Sequence, residues 1–164
     1  MKKLQVILII VLFICQNIIS QNIQLNEVTQ ELKENANSIV LSATTTVNVM
    51  SIDELVVEEE NILLIQNIDG KRHIETYEHY DDDTKIISMS ASLFDKNGNR
   101  IKKYKVKDFK DQSAISNGQL YTENRVKYLN HNITSFPVIL KYKSTVKMKS
   151  TIFLENLPFK RLTK

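Results

Sequence analysis

Apolar and polar residues alternate along three long stretches of the chain, residues 39–50, 87–93 and 138–148. In each stretch nearly every second side chain is apolar, while serines, threonines, an asparagine or lysines fill the positions between. Successive side chains of a β-strand point to opposite faces of its sheet, so this period of two predicts strands with one dry and one wet face. The pattern therefore predicts a mainly β protein.

A different spacing precedes the first of these strands. Apolar residues recur there every three or four positions, at Leu25, Val28, Leu32 and Ala36. Such spacing places side chains on one side of a helix, so one short N-terminal helix is predicted over about residues 26–37. Since the strands follow one another closely, we expect them to pair with their neighbours as an antiparallel β-sandwich, with the helix alongside.

Turn residues separate the predicted strands. Asp69-Gly70 and Asn97-Gly98 are dipeptides that tolerate positive φ in two-residue hairpin loops, and Asp81–Asp83 predicts another reversal. Residues 55–68 are apolar on both faces around the sequence EEEN, which predicts a bulge or a change of register. The chain has only two prolines and three glycines and shows no linker, so a single β-rich domain is expected over residues 21–164.

The N-terminus has the pattern of a secretory signal peptide. Lys2 and Lys3 precede an apolar run from Val6 to Cys15, which is short for a membrane-spanning helix. We expect residues 1–20 to be the signal peptide, cleaved after Ser20, and the mature protein to be periplasmic or secreted without a membrane span. A retained membrane anchor and lipidation at Cys15 are the alternatives.

Removal of the signal peptide changes the chemistry that is available. The formal charge of +3 falls to about +1, because both N-terminal lysines are lost and no acidic residue precedes Ser20. A nearly neutral exported protein is not expected to bind nucleic acid. Cys15 is the only cysteine, so the mature chain would have no disulfide, thiolate metal site or cysteine nucleophile.

The stretch SLFDKNGNRIKKYKVKDFKD, residues 92–111, allows three interpretations. A calcium loop of the EF-hand type needs glycine at its sixth position and glutamate at its twelfth, whereas Gly98 is at the fourth and Val106 at the twelfth. A hairpin turn at Asn97-Gly98 is therefore favoured. The basic residues are either the solvated face of a strand or an anionic-ligand surface formed by Lys103, Lys105, Lys107, Lys141 and Lys143.

No catalytic, cofactor-binding or metal-binding site is expected. His73, Glu75 and His79 alternate on one predicted strand, but strand rise spreads three such ligands too far apart for one ion without bending, so a solvated strand face is preferred. No nucleophile elbow is present, and His73, His79 and His131 show no pattern typical of a catalytic triad. The chain is not expected to be an enzyme.

Three segments carry a resemblance to a known family: KIISMSASLFDKNGNRIKKYKVKDFKDQSA, LYTENRVKYL and FPVILKYKSTVK. In this order they resemble the β-rich domains of unknown function, family 3857, that precede transglutaminase-like cores in secreted or periplasmic proteins of Gram-negative bacteria. The family's catalytic cysteine, histidine and aspartate belong to the downstream core and have no counterpart here. The resemblance implies a non-catalytic accessory domain, truncated at its C-terminus or a stand-alone relative.

The resemblance also implies partners. A transglutaminase-like catalytic domain and protein or cell-envelope material are the expected ones, and self-association through an incomplete sheet edge would follow from a truncated domain. The alternative is a stand-alone module that binds carbohydrate or an envelope polymer, against which the absence of tryptophan counts. A stand-alone enzyme that uses histidine or serine is a third hypothesis.

Overall fold

The computed structural model describes residues 29–114 and 123–149, and within them the chain is mainly β. Eight strands lie in these two ranges: β1 Ser38–Ser51, β2 Glu54–Ile65, β3 Tyr77–Tyr80, β4 Thr84–Phe94, β5 Arg100–Lys105, β6 Lys110–Ser113, β7 Arg125–Tyr128 and β8 Val138–Met148. The expected signal peptide and the apolar residues 152–154 lie outside these ranges. No helix of the described part is long and apolar enough to cross a bilayer.

Helix α1 spans Gln30–Asn35 and is shorter than the predicted residues 26–37. Thr29 has an extended backbone and accepts a hydrogen bond from the Leu32 amide through its side chain, so it caps the helix at its start. At the other end Ala36 is already extended, and β1 begins two residues later. The part of the prediction before Thr29 lies outside the described residues.

The strands form two antiparallel sheets. The first has five strands in the order β1-β2-β8-β4-β5, and the second has three in the order β3-β7-β6. Strand β8 is central in the larger sheet and pairs with both β2 and β4. The chain passes twice from the larger sheet to the smaller one, each time through a short 3₁₀ helix, Asp69–His73 and Val106–Asp108.

The core lies between the larger sheet and the smaller one. Strands β4 and β8 direct Met89, Ala91, Leu140 and Tyr142 into it, and each of these residues is buried. The loops around the smaller sheet contribute three more buried side chains, Phe109, Leu129 and Ile133. Tyr142 also joins the two sheets by hydrogen bonding, because its hydroxyl contacts Glu78 of β3. The expected antiparallel β-sandwich with one short helix is confirmed.

The hairpin predicted at Asn97-Gly98 joins β4 to β5. Gly98 has a φ of 82°, in the left-handed region that glycine adopts without steric cost. The loop is longer than the predicted two residues, since it runs from Asp95 to Asn99 between the two strands. The Asp95 carboxylate accepts hydrogen bonds from the Asn97 and Asn99 amides at 2.8 and 2.9 Å, so it closes the turn.

One other local prediction is wrong, and another holds on one side of its strand. Asp69-Gly70 is part of a 3₁₀ helix rather than a hairpin loop, and the next strand pairs in the other sheet. The change of register expected in β2 is found in its pairing with β1, which shifts at Ile62–Leu63 and again at Glu54–Leu55. Its pairing with β8 runs without interruption from Leu55 to Ile65. Both faces of β2 are covered at its end, since Leu64 and Ile65 are 5% and 0% exposed, which explains the continuous apolar run there.

Candidate anion-binding surface

The face of the larger sheet that points away from the core carries a group of lysines and serines. In the register of the sheet, Ser92 of β4 lies opposite Lys141 of β8 on one side and Lys103 of β5 on the other. Two residues along, Ser90 lies opposite Lys143 and Lys105 in the same way. We call these six residues the lysine–serine face: Ser90, Ser92, Lys103, Lys105, Lys141 and Lys143.

The spacing of this face follows from sheet geometry. Neighbouring strands are about 4.8 Å apart and alternate residues on a strand about 7 Å apart, so the four lysine Cα atoms outline a rectangle of about 10 by 7 Å. Two serine hydroxyls lie in its middle row. Ammonium groups and hydroxyls are donors that suit phosphate, sulfate or carboxylate oxygens. The face therefore has the chemistry to bind an anionic group.

One carboxylate on β2 partly neutralises the lysine–serine face. Glu60 lies 2.8 Å from the Lys141 ammonium nitrogen and also forms an ion pair with Lys143. Burial raises the pKa of Glu60, but the hydrogen bonds from the two lysines outweigh it and hold the pKa below its usual value. The Lys141 side chain is only 14% exposed, so it is largely committed to this contact.

The lysines of β5 have no such partner. Lys103 and Lys105 are exposed, and in the part of the chain that the structure describes neither forms an ion pair within 4.0 Å. The four lysines and Glu60 together leave a net positive charge that is greatest along β5. An incoming anion would meet these two lysines first.

Lys107 lies outside the lysine–serine face. It is in the second 3₁₀ helix, beyond the last residue of β5, and is exposed. The structure thus brings together four of the five lysines that the sequence singled out. Ser90 and Ser92 were not among the predicted site residues, because their position between the basic strands depends on the pairing of β4 with both β5 and β8.

The three residues considered as metal ligands do not share a strand. His73 ends the first 3₁₀ helix, Glu75 lies in the segment after it and His79 is in β3. The preferred interpretation, a solvated strand face formed by all three, is therefore wrong in its secondary structure. Among residues 29–114 and 123–149, no group of three or more potential ligands is close enough to hold a metal ion.

A second charged cluster lies on the smaller sheet, and its charged side chains pair with one another. Asp111 of β6 forms ion pairs with Arg125 and Lys127 of β7 at 2.8 and 2.5 Å and accepts a hydrogen bond from Tyr80. The hydrogen bonds from Lys127 and Tyr80 are the largest influences that lower its pKa to about 2. Both cations of this cluster are paired with Asp111, whereas Lys103 and Lys105 of the lysine–serine face are not paired with a carboxylate of the described residues.

His131 is the most strongly buried histidine whose side chain the structure describes, at 8% exposed. Its Nε2 lies 2.7 Å from the Thr76 hydroxyl, which in turn donates to the Leu129 carbonyl oxygen. The Tyr104 ring packs edge-to-face against the imidazole at 5.8 Å. Burial, with a smaller contribution from the nearby Lys71 charge, lowers the pKa of His131 to about 4. This histidine is a neutral core residue.

We expect the burial of His131 to make the fold sensitive to mild acid. With a pKa of about 4 in the folded state and about 6.5 in the unfolded state, the unfolded chain binds more protons between these pH values. The stabilising contribution is complete above about pH 6.5 and is lost as the pH falls towards 4, at a cost of up to about 3 kcal/mol.

Urea unfolding at neutral and mildly acidic pH measures this loss. His131→Leu is expected to flatten the pH dependence, whereas His79→Leu, at an exposed position, is expected to leave it unchanged. An equally steep pH dependence in His131→Leu would assign the acid sensitivity to other groups.

Comparison with known families identifies the class of this domain. Residues 53–161 match the family model described as "Domain of Unknown Function with solved-structure structure (DUF3857)". The match covers more than half of the chain, so the protein belongs to this family, as the resemblance predicted. Among curated proteins none matches the chain.

One solved structure shows the same fold within a longer protein. It is the crystal structure of a candidate protease from Parabacteroides distasonis, with a TM-score of 0.58 and 10% sequence identity. The similarity covers 70% of this chain and 23% of that one. The chain thus corresponds to about a quarter of that protein's length, and at this identity the likeness concerns the fold alone.

Proposed function

We propose that this protein is an exported, non-catalytic accessory domain that contacts anionic cell-envelope material, or acidic segments of proteins, and positions it for a transglutaminase-like catalytic partner. The lysine–serine face is the proposed contact surface. Its hydroxyls and ammonium groups would bind carboxylate or phosphate oxygens along an extended ligand.

The observation that carries this proposal is the uncompensated charge along β5. Lys103 and Lys105 lie on the same face as Lys143, whose side chain is 51% exposed. An extended anion lying across β5 and β8 could contact all three ammonium groups at the spacing given above. Several weak charge contacts of this kind add up to measurable, salt-dependent binding.

Three further observations support the accessory role and export. The resemblance described above implies a place ahead of a transglutaminase-like core, and the similar fold in the Parabacteroides structure covers about a quarter of a longer chain. Lys2, Lys3 and the apolar run after them have the pattern of a signal peptide. His131, which contacts the Thr76 hydroxyl, is buried and neutral, so it does not provide an accessible base.

The alternative is a stand-alone module that binds an envelope polymer. This hypothesis is favoured by the composition of the lysine–serine face, since all six residues come from one sheet of this chain. Such a surface needs no catalytic partner to be complete. The two hypotheses share the ligand chemistry and differ in whether a catalytic domain binds.

Binding of polygalacturonate, a regular polymer of carboxylates, tests the contact surface. We expect calorimetry on the full chain to show binding that weakens as salt is added. Lys103→Gln/Lys105→Gln is expected to weaken it about tenfold, because two exposed charge contacts contribute roughly 0.7 kcal/mol each. Lys96→Gln/Lys110→Gln removes the same charge outside the face and is expected to have little effect.

The outcome separates the proposals. Equal loss of affinity in both double variants would mean that net charge, rather than the lysine–serine face, governs binding.

Thermal melts then distinguish the two hypotheses, if polygalacturonate binds through the lysine–serine face. The melting temperature of this protein is measured with and without a transglutaminase-like domain from a longer family member. A rise in melting temperature supports the accessory role, since a partner that binds only the folded form stabilises it. No rise supports the stand-alone module.

A further inference from the structure

The two edges of the larger sheet differ in how they are protected against other strands. Edge strands commonly carry charged residues that oppose pairing with another chain. Strand β5 has four basic residues in six positions, whereas β1 has 14 residues, SIVLSATTTVNVMS, and none of them is charged or proline. In the described residues β1 pairs with β2 alone. One long edge of the sheet is therefore uncharged and, within residues 29–114 and 123–149, open.

Irregularities limit the part of β1 that can pair. Its register with β2 shifts between Val40 and Ser42 and again between Val49 and Ser51. Bulges twist a strand and disrupt regular pairing, so they protect both ends of this edge. Between them residues 42–49 are regular, and all but Val47 are exposed. A second strand would meet an unbroken ladder only in this middle segment.

The middle segment, residues 42–49, is suited to antiparallel pairing with the same segment of a second copy. In antiparallel pairing about a two-fold axis at Thr45, the opposed residues would be Ala43 with Val47, Thr44 with Thr46 and Ser42 with Asn48. Small or apolar residues thus meet each other on one face, and polar residues meet on the other. Thr–Thr and apolar cross-strand pairs stabilise sheets. A two-fold axis one residue later would instead place Thr45 against Val47.

From this self-complementarity we infer that the β1 edge binds a second copy of the chain. The two β1 strands pair antiparallel about Thr45 and join two five-stranded sheets into one continuous sheet of ten strands. A closed two-fold contact of this kind uses up both open edges and leaves the charged β5 edges outside. The inference is independent of the proposed function, because the lysine–serine face is not part of the contact.

Sedimentation of the full chain across micromolar concentrations tests the dimer, and Thr44→Lys/Thr46→Lys is the informative variant. In the monomer these positions lie beside Glu60 and Glu58 of β2, so the introduced charges are compatible with folding. Across the two-fold axis position 44 faces position 46 of the other copy, so like charges would oppose each other. We expect the dissociation constant of the dimer to rise at least about tenfold. Ile101→Lys, at an exposed position on β5, should leave the dimer intact.

Oxidation of Thr45→Cys tests the register. In a Cys15→Ser background the two cysteines at position 45 would be directly opposed and should form a disulfide-linked dimer, whereas Thr44→Cys would cross-link far less. A monomer at every concentration would overturn the inference, including the case in which residues 150–164 or another protein occupy the edge. A dimer that persists in Thr44→Lys/Thr46→Lys, or that cross-links equally at position 44, would also overturn it.

Discussion

Replacing Gly70 by alanine is expected to destabilise the fold by about 3 kcal/mol, although the change adds a single methyl group. A Cβ at Gly70 would lie 2.7 Å from the Asn37 carbonyl carbon and closer still to its oxygen. That oxygen accepts the Gln66 amide at 2.9 Å, which helps to align the start of β1 with the end of β2. Because the obstruction is backbone, relief requires the 3₁₀ helix that contains Gly70 to move away from Asn37.

Gly98→Ala provides a matched control. No atom lies within 4 Å of a Cβ built at Gly98, but its φ of 82° is unfavourable for alanine. We expect a cost of roughly 1 kcal/mol from backbone conformation alone. Denaturant unfolding of the two variants should therefore rank Gly70→Ala as the more damaging. The reverse order would mean that the contact with Asn37 relaxes easily.

The two glycines show what local sequence rules predict and what they miss. Asn97-Gly98 follows the rule for positive φ, and it lies in a turn between paired strands. Gly70 does not have positive φ. Glycine is needed at this position because the backbone of Asn37, a residue far away in the chain, leaves no room for a Cβ. Close approach between distant segments leaves no local pattern, so Asp69-Gly70 was interpreted as a hairpin.

The lysine–serine face was predictable only in part for the same reason. Alternation along each strand placed Lys103 with Lys105, and Lys141 with Lys143, on a common side. It did not indicate that β4 would lie between β5 and β8 and align its serines with both pairs. Glu60, which neutralises part of the charge, also comes from a separate strand. Periodicity within each strand thus predicted which lysines share a side. Which strands lie next to one another, and so which residues form the surface together, depends on non-local pairing.

Tyr142 shows a related limit at the centre of the sandwich. Its position in an alternating strand predicted an inward side chain, and the residue is completely buried. The sequence did not indicate that its hydroxyl would reach the other sheet, where it donates to a Glu78 carboxylate oxygen at 3.0 Å. Burial, followed by the nearby Glu78 charge, raises the pKa of Tyr142 far above its usual value, so the hydroxyl remains a donor.

Tyr142→Ala is expected to have the largest effect of the substitutions considered, about 4 kcal/mol of lost stability. The change removes an aromatic ring from the central strand, together with its packing against Phe109 at 6.5 Å between ring centroids, and it also removes the hydrogen bond to β3. Tyr142→Phe keeps the ring and removes only the hydroxyl, so its expected cost is about 1–2 kcal/mol. Urea unfolding of both variants separates packing from hydrogen bonding. Equal losses in the two variants would show that the link between the sheets, rather than the buried ring, accounts for the contribution of this residue.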